Sequence, residues 1–190
     1  MVSRYVMPGC PATFLDETDL NLLLSYAQEV GASDIYIRSL RPISARIRGE
    51  IHRLTDRILQ DHEVNQIMKA IYEGDNGPVQ VAIKPISKAY SFRHKSGQRL
   101  RFRCQGTGTQ VNGQFAISLT LRELPAIPRK LNKEELGPLY DTLFPDVGLV
   151  LICGETGSGK STLMAGIIRD LIEKDDHQHI LEYSQPIEYV

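Results

Sequence analysis

Val147-Gly148-Leu149-Val150-Leu151-Ile152-Cys153-Gly154-Glu155-Thr156-Gly157-Ser158-Gly159-Lys160-Ser161-Thr162 reads as an apolar strand, a glycine loop and the first turn of a helix. Gly154, Gly159, Lys160 and Ser161 satisfy the spacing G-x-x-x-x-G-K-[ST], in the flanking context that spacing requires. Val147 to Cys153 is a short apolar run of the kind buried in a parallel sheet. Leu163, Ile167, Ile168, Leu171 and Ile172 recur at helical spacing up to Glu173. A triphosphate needs many donors at close range, and backbone N–H groups reach it only where side chains are absent. Gly154, Gly157 and Gly159 permit that approach. The unbonded N–H groups of the helix's first turn, at its positive dipole end, favour an anion. Gly154, Glu155, Thr156, Gly157, Ser158, Gly159, Lys160, Ser161 and Thr162 thus form a candidate phosphate cradle. Lys160 is expected to reach the β- and γ-phosphates and Ser161 to help hold Mg2+. The plainer alternative is a glycine-rich turn; a strand before it and a helix after it favour the nucleotide site.

With 190 residues the chain can hold one large domain or two small ones, either with a real core. A net charge of −1 gives no global attraction to nucleic acid or acidic lipid. Cys10, Cys104 and Cys153 are odd in number and unpatterned, with two in expected strands. That points to reduced, buried thiols in a cytoplasmic protein. No apolar run is long enough to span a bilayer, and Met1 to Pro11 lacks the apolar core of a secretory signal. Any membrane association is expected to be peripheral, through a partner.

Upstream of the loop, residues 1–124 read as a self-contained α+β module. A helix is expected from Glu17 to Val30, capped by Asp16 or Thr18, with Leu20, Leu23, Leu24, Ala27 and Val30 inward and Gly31 as its stop. Strands follow at Ile35 to Leu40, Ala45 to Arg48 and Ile51 to Leu54, with a tight reversal at Gly49-Glu50. A second helix runs from Asp61, as cap, to Tyr72, burying Val64, Ile67, Met68 and Ile71 and ending at Gly74. A short helix is expected near 78–83. A hairpin joins Ala89–His94 to Arg99–Gln105, a Gly/Thr-rich loop covers 106–113, and a last strand spans Gln114 to Leu121. In the second hairpin strand Leu100, Phe102 and Cys104 face one way, and Arg99, Arg101 and Arg103 the other.

Pro125 and Pro128 stiffen a linker at 125–131, and 132–190 form the second domain. Asn132-Lys133-Glu134-Glu135 resembles a capping box opening a helix towards Leu143, with Gly137-Pro138 able to kink or restart it. A second strand at His179 to Tyr183 would complete one right-handed βαβ unit. One such unit cannot cover both faces of a parallel sheet, so the chain is expected to stop inside its second domain.

Several stretches together resemble the PilT/GspE class of secretion and pilus ATPases, above all the DotB/TraJ type of type IVB secretion and conjugation. Gly31-Ala32-Ser33-Asp34-Ile35-Tyr36 is similar to that family's entry into a PAS-like N-terminal domain, and Arg46-Ile47-Arg48-Gly49-Glu50 to the next strand and turn. Arg101-Phe102-Arg103 resembles its R-F-R strand, and Leu121-Arg122-Glu123-Leu124-Pro125 its exit into the linker. Gly154 to Thr162 resembles its Walker A loop, and Pro186-Ile187-Glu188-Tyr189 the end of its aspartate box, though Ser184 and Gln185 stand where acidic residues are usual. The resemblance implies an α/β fold: a PAS-like domain followed by a partial RecA-like P-loop domain whose Walker B and histidine boxes would lie beyond Val190. It further implies a cytoplasmic hexamer that hydrolyses ATP with Mg2+ at an inner-membrane secretion, conjugation or pilus apparatus, without direct nucleic-acid contact.

By the same resemblance Glu188 would orient or deprotonate the attacking water, and Arg103 and Arg122 would swing towards the γ-phosphate as the two domains close. The plainer reading of Arg99, Arg101 and Arg103 is a solvated strand face, preferred for Arg99. A nucleic-acid stripe of Arg93, Lys95, Arg99 and Arg101 is disfavoured by near-neutral charge. His177 and His179 lack a third ligand for metal. Asp34 is expected to pin the strand entry. The rival function is a non-catalytic nucleotide-binding or assembly module, because a chain lacking Walker B is expected to be weak or inactive alone.

Overall fold

The computed structural model describes residues 4–124, 128–155, 158–174 and 179–183. They divide into two compact units, one up to Leu124 and the other beyond it.

In the first unit α1 (Glu17–Glu29) begins where the Asp16 carboxylate accepts the N–H groups of Thr18 and Asp19, at 2.8 and 3.1 Å. It stops at Gly31, whose φ of 72° is open to glycine at little cost. There follow β1 (Ala32–Arg38), β2 (Ser44–Ile47), β3 (Glu50–Arg53), α2 (Asp61–Tyr72), α3 (Gly77–Ile83), β4 (Ile86–Arg93), β5 (Arg99–Val111) and β6 (Gln114–Leu124). The strands make one sheet in the order β3-β2-β1-β6-β5-β4, antiparallel at every pairing. Between β2 and β3 the turn residues Arg48 and Gly49 both have positive φ, as a tight hairpin turn requires.

One face of the sheet is apolar and the other polar, as strand alternation dictates. Ile35 and Ile37 pair with Leu121 and Leu119, and Cys104 with Leu121. These pack under Leu20, Leu23, Leu24 and Ala27 of α1, and Val64, Ile67, Met68 and Ile71 of α2, in one core. Each large side chain so buried contributes about 1.5–3 kcal/mol. The opposite face carries Asp34, Tyr36 and Arg38 of β1 and, in register with them, Arg122, Thr120 and Ser118 of β6.

All three predicted helices of this unit fold close to their expected bounds, and the inward residues of α1 and α2 are buried except Val30, the half-buried C-cap of α1. Gln60 rather than Asp61 is the cap of α2: its N–H donates to the Glu63 carboxylate at 2.8 Å. The helix ends with Glu73, not Gly74, in the left-handed conformation. The expected loop at 106–113 is instead mostly strand. β5 runs on to Val111 and turns back through Asn112 and Gly113, both with positive φ. Its glycines are there for space rather than freedom. A Cβ on Gly106 would lie 3.0 Å from Ile86 Cγ1 and 3.1 Å from Leu119 Cδ2, and one on Gly108 would lie 2.8 Å from the Phe115 ring.

In the second unit α4 (Lys133–Leu136) is capped by Asn132, which accepts from the N–H groups of Glu134 and Glu135. Gly137, at φ 53°, restarts the chain as α5 (Pro138–Thr142), the break expected from Gly137-Pro138. α6 (Lys160–Lys174) follows the phosphate loop. The expected strands at Val147–Cys153 and His179–Tyr183 do not form. Val147, Leu149, Leu151, Leu181 and Tyr183 are largely exposed, and Cys153 is exposed rather than buried. A parallel pair is stable only between covering helices and beside further strands, and among the described residues of the second unit α6 is the one long helix on offer. α6 accordingly packs by a different stripe from the one expected. Ala165, Gly166 and Asp170 are buried while Leu163, Ile167, Ile168, Leu171 and Ile172 stay partly or largely exposed. Gly166 sits against Leu131, and Tyr140 donates to Asp170 at 2.5 Å. Lys130 pairs with Glu173 at 2.6 Å and Arg169 donates to the Pro128 carbonyl at 2.7 Å.

Candidate phosphate loop and arginine row

Ser158 and Gly159 lead into α6 although the strand expected ahead of the loop does not form. Gly159 has φ 92°, and its carbonyl accepts the first α-helical bond, from the N–H of Leu163 at 2.8 Å. Helix geometry leaves the N–H groups of Lys160, Ser161 and Thr162 ahead of that bond without an intrahelical acceptor. They sit at the positive end of a 15-residue helix, where an anion is stabilised. Ser158 donates its N–H to the Glu155 carbonyl at 3.2 Å, tightening the loop. The Lys160 ammonium curls back over it, donating to the carbonyls of Gly154 at 2.8 Å and Glu155 at 2.6 Å. A Cβ on Gly154 would lie 2.8 Å from Ser158 Oγ, so a side chain there would displace the Ser158 hydroxyl. Gly154, Glu155, Ser158 and Gly159 are exposed, as are Ser161 and Thr162 at the mouth of α6. Thr156, Gly157 and Glu188 lie outside the described residues.

These residues fit the proposed ligands. Bare main chain, three amides without intrahelical acceptors and one ammonium suit a polyphosphate, and the Ser161 hydroxyl is a hard oxygen donor of the kind Mg2+ takes. No cluster of three His, Cys, Asp or Glu side chains able to hold a metal occurs among the described residues, His179 included.

The second constellation lies on the polar face of the six-stranded sheet. Asp34 of β1 is paired in register with Arg46 on β2 and Arg122 on β6, and Arg122 in turn with Arg103 on β5. Four neighbouring strands thus set Arg46, Asp34, Arg122 and Arg103 in one row. Arg122 Nε donates to Asp34 Oδ1 at 2.8 Å, and Nη2 lies 2.7 Å from the same oxygen as an ion pair. The other carboxylate oxygen accepts from Ser33 Oγ at 2.9 Å and lies 3.8 Å from Arg46 Nε. Arg46 Nε also donates to the Tyr36 hydroxyl at 3.3 Å, and that contact leads, ahead of the Asp34 charge, in holding its pKa above the ordinary value. The sequence reading identified Arg103 and Arg122 but gave Asp34 only the strand entry. The burial of Asp34, at 5 % exposure inside β1, is seen only in the structure. Arg101 is likewise buried, which breaks the Arg93, Lys95, Arg99, Arg101 stripe and removes the solvated-face reading for that residue.

No family model matches the chain. Among curated proteins it is 31% identical over 179 residues to the type IV pilus retraction ATPase PilT of Pseudomonas aeruginosa, covering 90% of this chain and 48% of that protein. Among solved structures, the ATPase DotB of Legionella pneumophila superposes with a TM-score of 0.85 at 37% identity, over 100% of this chain and 51% of DotB. The pilus retraction motor PilT, solved with bound ADP, superposes with a TM-score of 0.67 at 30% identity, covering 90% of this chain and 48% of PilT. The chain spans about half the length of the relatives it matches. On sequence and fold together, it belongs to the PilT/GspE class of ATPases, near DotB.

Proposed function

We propose that the chain is the nucleotide-binding part of an ATPase that drives a secretion, conjugation or pilus apparatus. The observation that carries this is Lys160 at the mouth of α6, its ammonium lying over the Gly154 and Glu155 carbonyls beside three first-turn amides that have no intrahelical acceptor. In the proposed cycle the Lys160 ammonium exchanges those carbonyls for the β- and γ-phosphates. The amides of Lys160, Ser161 and Thr162 hold the phosphate oxygens, and Glu188 orients the attacking water. Mg2+, held by the Ser161 hydroxyl, supplies neutralisation of phosphate charge. Arg103 and Arg122 supply cations as negative charge spreads over the transferred group. The first unit is then PAS-like, residues 125–131 the linker, and the second unit the opening of a RecA-like motor. Assembly as a cytoplasmic hexamer, peripheral at the inner membrane through apparatus proteins, completes the reading. No described helix is long and apolar enough to cross a membrane.

Lys160→Ala in the intact protein tests it. Loss of the ammonium is expected to lower ATP turnover by about 100-fold or more, the scale of a lost transition-state donor. Unchanged turnover refutes the assignment. The rival reading, a non-catalytic assembly module, rests on this chain covering only half of its relatives. It predicts no turnover by the 190-residue chain alone, and brisk hydrolysis there removes it.

A further inference from the structure

We infer that Asp34 is a positioning residue for Arg122: it clamps one edge of the guanidinium so that the opposite edge is presented as a fixed anion donor. This rests on the ATPase reading only for what the anion is, the transferred phosphoryl group. Asp34 is buried, its side chain 7 % exposed, whereas that of Arg122 is 63 % exposed. The Nε hydrogen bond and the Nη2 ion contact both run from one edge of the Arg122 guanidinium to a single oxygen, Oδ1. Nη1 and the second N–H of Nη2 remain directed away from that edge, a fork suited to a phosphate.

Two features separate this arrangement from an ordinary surface ion pair. First, Asp34 is itself fixed: Ser33 Oγ donates to Oδ2, Arg46 approaches the same oxygen, and β1 is bonded on both sides, to β2 and β6. Second, the ladder sets Arg103 directly opposite Arg122. Like charges so placed repel, and a long exposed arginine would otherwise swing away into solvent. A buried carboxylate on the other flanking strand selects one direction for Arg122. Arg122 is itself largely exposed, so holding its direction is a main consequence of this contact. Preorganised donors act because no reorganisation is needed when charge develops.

The test has two arms. In the first, side-chain NMR of the arginine Nε–H groups of the 190-residue chain follows Arg122 in Asp34→Asn and Asp34→Glu. A shifted, faster-exchanging Arg122 Nε–H in Asp34→Asn, partly restored in Asp34→Glu, is expected; an unchanged resonance overturns the clamp whatever the enzyme does. In the second, ATP turnover of the intact protein is measured for Asp34→Asn, Arg122→Ala and the double variant, with Lys160→Ala alongside. Each single change should lower kcat by about 10- to 100-fold with KM little altered, the scale expected when a transition-state group is misplaced. The double variant should be no worse than Arg122→Ala, since Asp34 acts through that residue. Multiplying losses, or wild-type kcat in Asp34→Asn, overturn the inference. If Lys160→Ala alone keeps full turnover, the ATPase reading fails, while the NMR arm still decides the clamp.

Discussion

Glu63→Ala should unfold the first unit at ordinary temperatures far more readily than any surface change. The Glu63 carboxylate, 1 % exposed, accepts four hydrogen bonds: Phe14 N–H at 2.9 Å, Gln60 N–H at 2.8 Å, and Arg57 Nη1 and Nη2 at 2.9 and 2.6 Å. It ties the N-terminal arm, the loop before α2 and α2 itself to one group. Truncation leaves the Phe14 amide unanswered inside the core and Arg57 without its partner. Breaking a buried charged pair from one side costs about 3–5 kcal/mol. Spread over a unit of this size, that is roughly 10–20 °C of melting temperature. Burial pushes the Glu63 carboxyl up, but the Arg57 hydrogen bonds, then the Gln60 and Phe14 amides, outweigh burial and hold it below its ordinary 4.5. The folded state therefore favours the ionised form. Its contribution is complete above pH 4.5 and is lost as pH falls through the lower folded value. Thermal denaturation followed by circular dichroism, at neutral pH and across the acid range, checks both statements. A melting temperature within about 3 °C of wild type at neutral pH would refute the reasoning, because it would place Glu63 outside the cooperative core.

Gly77→Ala should destabilise the α2–α3 junction by about 1–3 kcal/mol in a denaturant titration, because the added Cβ meets Tyr72 Cβ at 2.8 Å and the Met68 carbonyl at 2.9 Å, neither free to move. Thiol labelling at pH 8 should modify exposed Cys153 rapidly and leave Cys104 untouched until denaturant is added. Burial pushes the Cys104 thiol up to about 12, so it holds its proton and is out of reach; mass measurement of labelled peptides checks the order.

Where an element stands on local chemistry, the sequence alone determined it. Asp16 and Gly31 bound α1, Asn132 opens α4 and Gly137 breaks it from α5, because capping and left-handed turns are decided within a few residues. The start of α6 at Lys160 is local in the same way: a glycine at positive φ and the lysine that opens the helix are consecutive.

Tertiary structure decided what depends on partners distant in sequence. Gly106 and Gly108 read as a loop by composition, yet they are strand because β6 pairs with them, and they are glycine because Ile86, Leu119 and Phe115 leave little room for a Cβ. Arg101 alternates outward by period and is nonetheless buried. Val147 to Cys153 has the apolar letters of a strand, but pairing and cover have to come from elsewhere, and the described residues bring neither. Asp34 and Arg122 stand 88 residues apart, and only the antiparallel register of β1 on β6 brings their side chains together. Periodicity tells which way a side chain points; the sheet's register tells what it meets.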